Sequence, residues 1–190
     1  MGKKLKEYVN PKINKTRMIA YMGLLIALDI VLTRLLSLEP MLATWRISIG
    51  FLPTSVTGYI LGPIWGAVEA VIADIVGYFM FYKGEYPFFL GYTFSALMRG
   101  LIYGLVLYKC KGSNISIIIK CVISVFIIFV CIDVALNSYW STFMTKNPYW
   151  VCLIRNLPSA AINFAIRCVL MPFMMIFMKN NHKSIFGRNQ

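Results

Sequence analysis

Stretches of about 20 residues dominated by Ile, Leu, Val, Phe and Met follow one another along this chain, and that length of helix crosses a hydrocarbon core of about 30 Å. Inside such a core every backbone N–H and C=O must be bonded within its own segment, so runs of this kind fold as helices. With 59% hydrophobic and 14% charged residues, the chain has too little polar surface to solvate a globule of its size. The expected fold class is all-α: a polytopic membrane protein built as a six-helix transmembrane bundle.

The spans are expected at about Met18–Leu36, Ile47–Gly62, Ile64–Phe79, Phe88–Tyr108, Ile115–Leu136 and Val151–Met178. Pro63 ends the second and can open the third. Tyr82–Pro87 and Lys109–Ser113 have turn chemistry, and Asn137–Trp150 is read as a polar, aromatic connection. Residues 1–17 and 179–190 are basic segments flanking a membrane domain over 18–178.

The net charge of +12 invites a nucleic-acid reading, but the charges sit in the wrong places for it. The head, the 109–113 loop and the tail hold 11 of the 19 basic residues, a distribution that marks them as cytoplasmic. An even number of spans returns both termini to that side, so N- and C-termini are expected in the cytoplasm of a multi-pass cell-membrane protein. The opposite loops carry Trp45, Tyr82, Tyr86, Tyr139, Trp140, Tyr149 and Trp150. These form either an interfacial aromatic belt or a lid of flat surfaces for a flat ligand, and the near absence of aromatics from the inner loops favours the lid.

Several charges fall inside the spans, where each costs roughly 2.5–3.5 kcal/mol near the bilayer centre and must face the bundle interior, pair or snorkel. Arg34, Lys120, Asp133 and Arg155 lie near span ends and are expected to snorkel; Asp74, Arg99 and Arg167 lie deeper. Helical spacing puts Tyr92, Ser95 and Arg99 on one face of the fourth span, Asp74 and Tyr78 on one face of the third, and Asn156, Ser159, Asn163 and Arg167 on one face of the sixth. Such stripes either satisfy one another, as in an Asp74–Arg99 lock, or line a cavity for a small anionic ligand with a polar ring, whose edges suit amides. On the first span Ala20, Gly23 and Ala27 form a small-residue stripe that admits a second helix, from this bundle or from a partner.

The five cysteines are dispersed without CxxC spacing and read as small hydrophobes, not as disulfides or metal ligands. No removed signal peptide is expected, and Lys6 stands where a myristoylation signal wants Ser or Thr. HExxH and phosphate-loop motifs are absent and the one histidine, His182, lies in the basic tail, which argues against an intramembrane enzyme. Spans paired by Gly/Pro breaks, expected of a self-sufficient transporter, are also missing.

Arg46-Ile-Ser-Ile-Gly-Phe-Leu-Pro53, Gly58 with Gly62-Pro63, Ala73-Asp74-Ile-Val-Gly77-Tyr78, and Tyr86-Pro87 with Gly91-Tyr92-Thr93-Phe94-Ser95 occur in an order that resembles the S components of energy-coupling factor (ECF) transporters, most of all the folate-specific branch. The likeness spans about residues 20 to 104; the last two helices match by hydropathy and position. It implies a membrane-embedded vitamin-binding subunit of an ABC importer that captures folate from outside and docks to a transmembrane T component and two cytoplasmic ATPases. No cofactor is then expected in this chain, ATP being used by the partners. The family's docking motif, small residues four apart on the first helix, falls on Gly23 and Ala27, with Ala20 extending the stripe. The resemblance suggests Asp74 or Asn163 at the pterin, Arg46 or Arg99 at the glutamate carboxylates, and Tyr78, Tyr92 and Trp45 as walls, with Ser95 and Asn156 completing the polar lining. Riboflavin and thiamine are the alternative vitamins.

Overall fold

The structure, a computed structural model, describes residues 15–35, 48–81, 88–108 and 113–180, and among these every regular element is helical. Helix α1 (Lys15–Ile30) runs into a π-helical turn over Val31–Leu35; α2 is Phe51–Leu61, α3 Pro63–Met80 and α4 Leu90–Leu107. Helix α5 (Asn114–Ile128) continues through a π-helical stretch, Phe129–Leu136, into α6 (Asn137–Thr145), and α7 is Tyr149–Asn180. Thr16–Leu35, Pro63–Met80, Leu90–Leu107, Asn114–Thr145 and Tyr149–Asn180 are each long and apolar enough to cross a membrane. The sixth pass, α2, has 11 residues and rises only about 16 Å.

A short pass is tolerable because α2 is wrapped by protein: Phe51, Pro53 to Gly58 and Leu61 are all buried, so its ends need not reach both lipid interfaces. Gly62, at φ 98°, turns the chain where a side chain would be strained, its N–H bonds to the Gly58 carbonyl at 3.1 Å, and Pro63 starts α3 at once. The three helices α2, α3 and α4 meet through glycine. A Cβ on Gly58 would stand 2.8 Å from the Gly104 nitrogen, and one on Gly66 3.0 Å from the Gly100 carbonyl oxygen, so backbones touch where side chains would hold them apart.

The expected connection after Leu136 is instead helix. Asn137–Thr145 lowers the hydropathy but contains neither Gly nor Pro, and the helix ends only where Lys146 takes a left-handed conformation and donates its N–H to the Thr142 carbonyl at 2.9 Å. Outward faces are apolar, as lipid requires: Ile19, Leu24, Ile119, Phe126, Val169 and Phe173 are all exposed. The core gathers Tyr103, Leu107, Ile117, Ile128, Met171 and Met175 from α4, α5 and α7. The chain is thus a multi-pass membrane protein. Its helices alternate between a basic end, with Lys15, Gly62, Tyr108 and Asn180, and an aromatic end, with Leu35, Met80, Phe89 and Tyr149.

Candidate functional site

In the aromatic half, α3 presents Asp74 between two donors. Thr93 Oγ1 of α4 donates to Oδ2 at 2.7 Å, and Arg34 Nη2, from the π turn that follows α1, lies 3.4 Å from Oδ1. Gly77 makes room for that arginine: a Cβ there would come 3.3 Å from Arg34 Nε. The pair is not sealed, the Arg34 and Asp74 side chains being 18% and 25% exposed. Arg34, expected to snorkel, is therefore a partner of Asp74, and the Asp74–Arg99 lock does not form.

A second polar group joins α4, α6 and α7. Asn156 Nδ2 donates to Ser141 Oγ at 3.2 Å and Ser138 Oγ at 3.4 Å, and the Tyr92 hydroxyl is 3.4 Å from the same Ser141 oxygen. Two turns along α7, Asn163 donates to the Ser159 carbonyl at 2.8 Å and accepts from the Ser48 N–H at 3.4 Å. That bond ties α7 to the segment entering α2. On α4, Ser95 Oγ and Arg99 Nε are buried without a hydrogen-bond partner, donors held ready on one face of the helix. The Tyr78 ring packs on Phe79 and Phe88.

Aromatic side chains roof this end. Phe89 meets Trp140 edge to face at 5.6 Å, stacks on Phe143 at 6.5 Å, and touches the Tyr92 ring at 5.9 Å. An open recess of about 510 Å³ beside them is lined by Phe88, Phe89, Leu90, Gly91, Phe94 and Trp140. Its lining is apolar and faces outward from α4, so it borders the polar groups and does not contain them.

Arg167, Asp133 and Asp29 find partners inside the bundle. Arg167, the last member of the α7 stripe, turns into the bundle to pair with Asp133 of the π-helical stretch, under the Phe51 ring 5.6 Å from its Cζ. Asp133 is thus a buried partner and not a snorkelling end residue. Asp29 accepts from Thr54 Oγ1 at 2.9 Å.

Of the residues picked from sequence, Asp74, Tyr92, Ser95, Arg99, Asn156 and Asn163 are distributed over these two groups, and Tyr78 sits in an aromatic contact above Asp74. Trp45 and Arg46 lie outside the described residues. Helical spacing overlooked Arg34, Thr93 and Ser141. Thr93 stands within the quoted Gly91–Ser95 motif, and Arg34 is the charge that an intramembrane Asp74 needs; pairing charges across helices would have found both. Ala20, Gly23 and Ala27 all face out of the bundle, and a Cβ on Gly23 would meet nothing within 4 Å.

The model of the ECF-type riboflavin transporter S component family matches residues 13–180. This chain belongs to the ECF transporter S components. Two proteins named folate transporter FolT are similar to it: one from Clostridium novyi (strain NT), 31% identical over 82% of this chain and 86% of that one, and one from Leuconostoc mesenteroides, 27% identical over 93% and 91%. A crystal structure of FolT bound with folic acid superimposes with a TM-score of 0.72 at 28% identity, covering 86% of this S component and 94% of that chain. The S component for biotin from an ECF-type ABC transporter shares the fold, with a TM-score of 0.67 at 18% identity over 87% and 92%.

Proposed function

We propose that this S component captures folate, or a reduced folate, from outside the cell and delivers it through an ATPase-powered partner module. The observation that carries this reading is the likeness over most of the chain to two folate transporters and to a folic-acid-bound structure. The polar groups suit the ligand. Asp74 offers acceptors and Asn163 an amide for the pterin edge, Arg99 or Arg46 a cation for the glutamate carboxylates, and Tyr78, Tyr92 and Trp45 flat walls. Ser95 and Asn156 add hydrogen-bonding capacity beside Arg99 and Tyr92.

In this reading the aromatic end faces outward, and the basic segments 1–17 and 179–190 lie in the cytoplasm on either side of the membrane domain over 18–178. The chain catalyses no reaction and holds no cofactor; ATP is hydrolysed by two cytoplasmic ATPases joined to it by a transmembrane T component. The exposed stripe of Ala20, Gly23 and Ala27 is the surface on which that partner seats, since no helix of this bundle covers it.

A second reading, riboflavin, is favoured by the description of the matching family model. Titrating the detergent-purified chain with folic acid, riboflavin and thiamine, without ATP, decides between them. Saturable 1:1 heat with folic acid alone is expected; heat with riboflavin and none with folic acid would reassign the substrate.

A further inference from the structure

We propose that Arg34 is a positioning residue for Asp74, a clamp at the end of α1 that aims the carboxylate at a ligand edge bearing two adjacent N–H groups. The inference deepens the folate reading and rests on it.

The bundle contains two intramembrane ion pairs among the described residues, and they differ in kind. Arg167–Asp133 is closed off, with side chains 7% and 10% exposed, and can only join helices. Arg34–Asp74 opens at the aromatic end, at 18% and 25%, where a ligand can reach it. Each Asp74 oxygen receives one donor, Arg34 Nη2 on Oδ1 and Thr93 Oγ1 on Oδ2. A carboxylate has about four lone-pair sites, so both oxygens keep acceptor capacity and their plane is set by the two donors.

The backbone is shaped to bring Arg34 there. A π turn widens the helix locally and recurs at functional sites; Arg34 lies inside one, Val31–Leu35, the last residues of this segment that the structure describes. The guanidinium then crosses α3 over Gly77, where a Cβ would crowd it from 3.3 Å at Nε and 3.5 Å at Cγ.

A carboxylate held this way favours a ring edge that presents an amino group beside a ring N–H, as the pterin of folate does, because both hydrogens meet its two oxygens. The corresponding edge of the riboflavin ring places carbonyl oxygens on both sides of one N–H, so the second carboxylate oxygen would face an acceptor. Arg34 thus bears on selectivity without touching the ligand.

The test is a double-mutant cycle on the full chain in detergent, with folic acid as the probe. Arg34→Gln is expected to weaken folic acid binding about tenfold, the loss of one charge-assisted contact, and Arg34→Lys to recover most of it. In an Asp74→Asn background, Arg34→Gln should cause no further loss. Equal losses with Asp and with Asn at position 74, or no loss at all, overturn the proposal. If Arg34→Gln does not yield folded protein, Thr93→Val removes the other donor and should weaken binding only when Asp74 is present; weakening in both backgrounds overturns the clamp. Failure of the unmodified chain to bind folic acid sinks the folate reading and the clamp together. Folic acid binding untouched by Asp74→Asn sinks the clamp alone.

Discussion

Arg99 stands one turn from Ser95 on α4 with its Nε buried and unpartnered, so that atom keeps a donor free for an acceptor. A buried donor without a partner forfeits hydrogen-bond energy unless a ligand supplies an acceptor, and the glutamate carboxylates of folate are acceptors of the strongest kind. Arg99→Ala is therefore expected to weaken folic acid binding by roughly 1.5–3 kcal/mol while leaving the melting temperature of the free protein close to that of the parent. Calorimetric titration beside a thermal melt checks both. Unchanged affinity would make Arg99 a structural residue, as Arg167 is through its pair with Asp133.

Helix α1 presents two unlike faces. Asp29 and Arg34 turn inward to Thr54 and Asp74, whereas Ala20, Gly23 and Ala27 turn outward. Small outward residues let a foreign helix approach until backbones are in contact, which is how helices associate in lipid, where no hydrophobic driving force helps them. The bundle's own close contacts use the same device at Gly58, Gly66, Gly100 and Gly104, where every neighbour is already in place. Ala27→Trp should fill the outward groove and abolish vitamin uptake in cells that contain the partner subunits, with folic acid affinity of the purified chain held within about twofold, since surface changes away from a site rarely exceed 0.5 kcal/mol. Copurification of partner subunits with the variant, together with normal uptake, would show that the stripe does not dock.

At the scale of the whole molecule, the two ends of the bundle have opposite chemistry, and the folate reading requires the aromatic end to face outward. Asn147 and Ser113 are exposed at opposite ends, the first between α6 and α7 and the second before α5. In intact cells a membrane-impermeant maleimide should label an Asn147→Cys variant and not a Ser113→Cys variant, read against the unmodified chain with its own cysteines. The reverse pattern would turn the molecule over and place the capture site in the cytoplasm.

Hydropathy and helical spacing suffice for the class and the number of passes, because a bilayer admits one solution for runs of this length and each polar stripe reveals itself within a single helix. Tyr92, Ser95 and Arg99 on α4 and Asn156 and Asn163 on α7 are legible in that way. What lies between helices is not. Pairing Asp74 with Arg34 and Thr93, or Arg167 with Asp133, depends on contacts between residues 19 to 40 positions apart and on π-helical turns that no local pattern announces. The brevity of α2 follows from its enclosure by protein, and the length of α5–α6 from a polar helix that hydropathy reads as a loop. Which charge is sealed within the bundle and which one a ligand can reach is decided by tertiary packing, since solvent access is a property of neighbouring helices and not of any residue's own sequence.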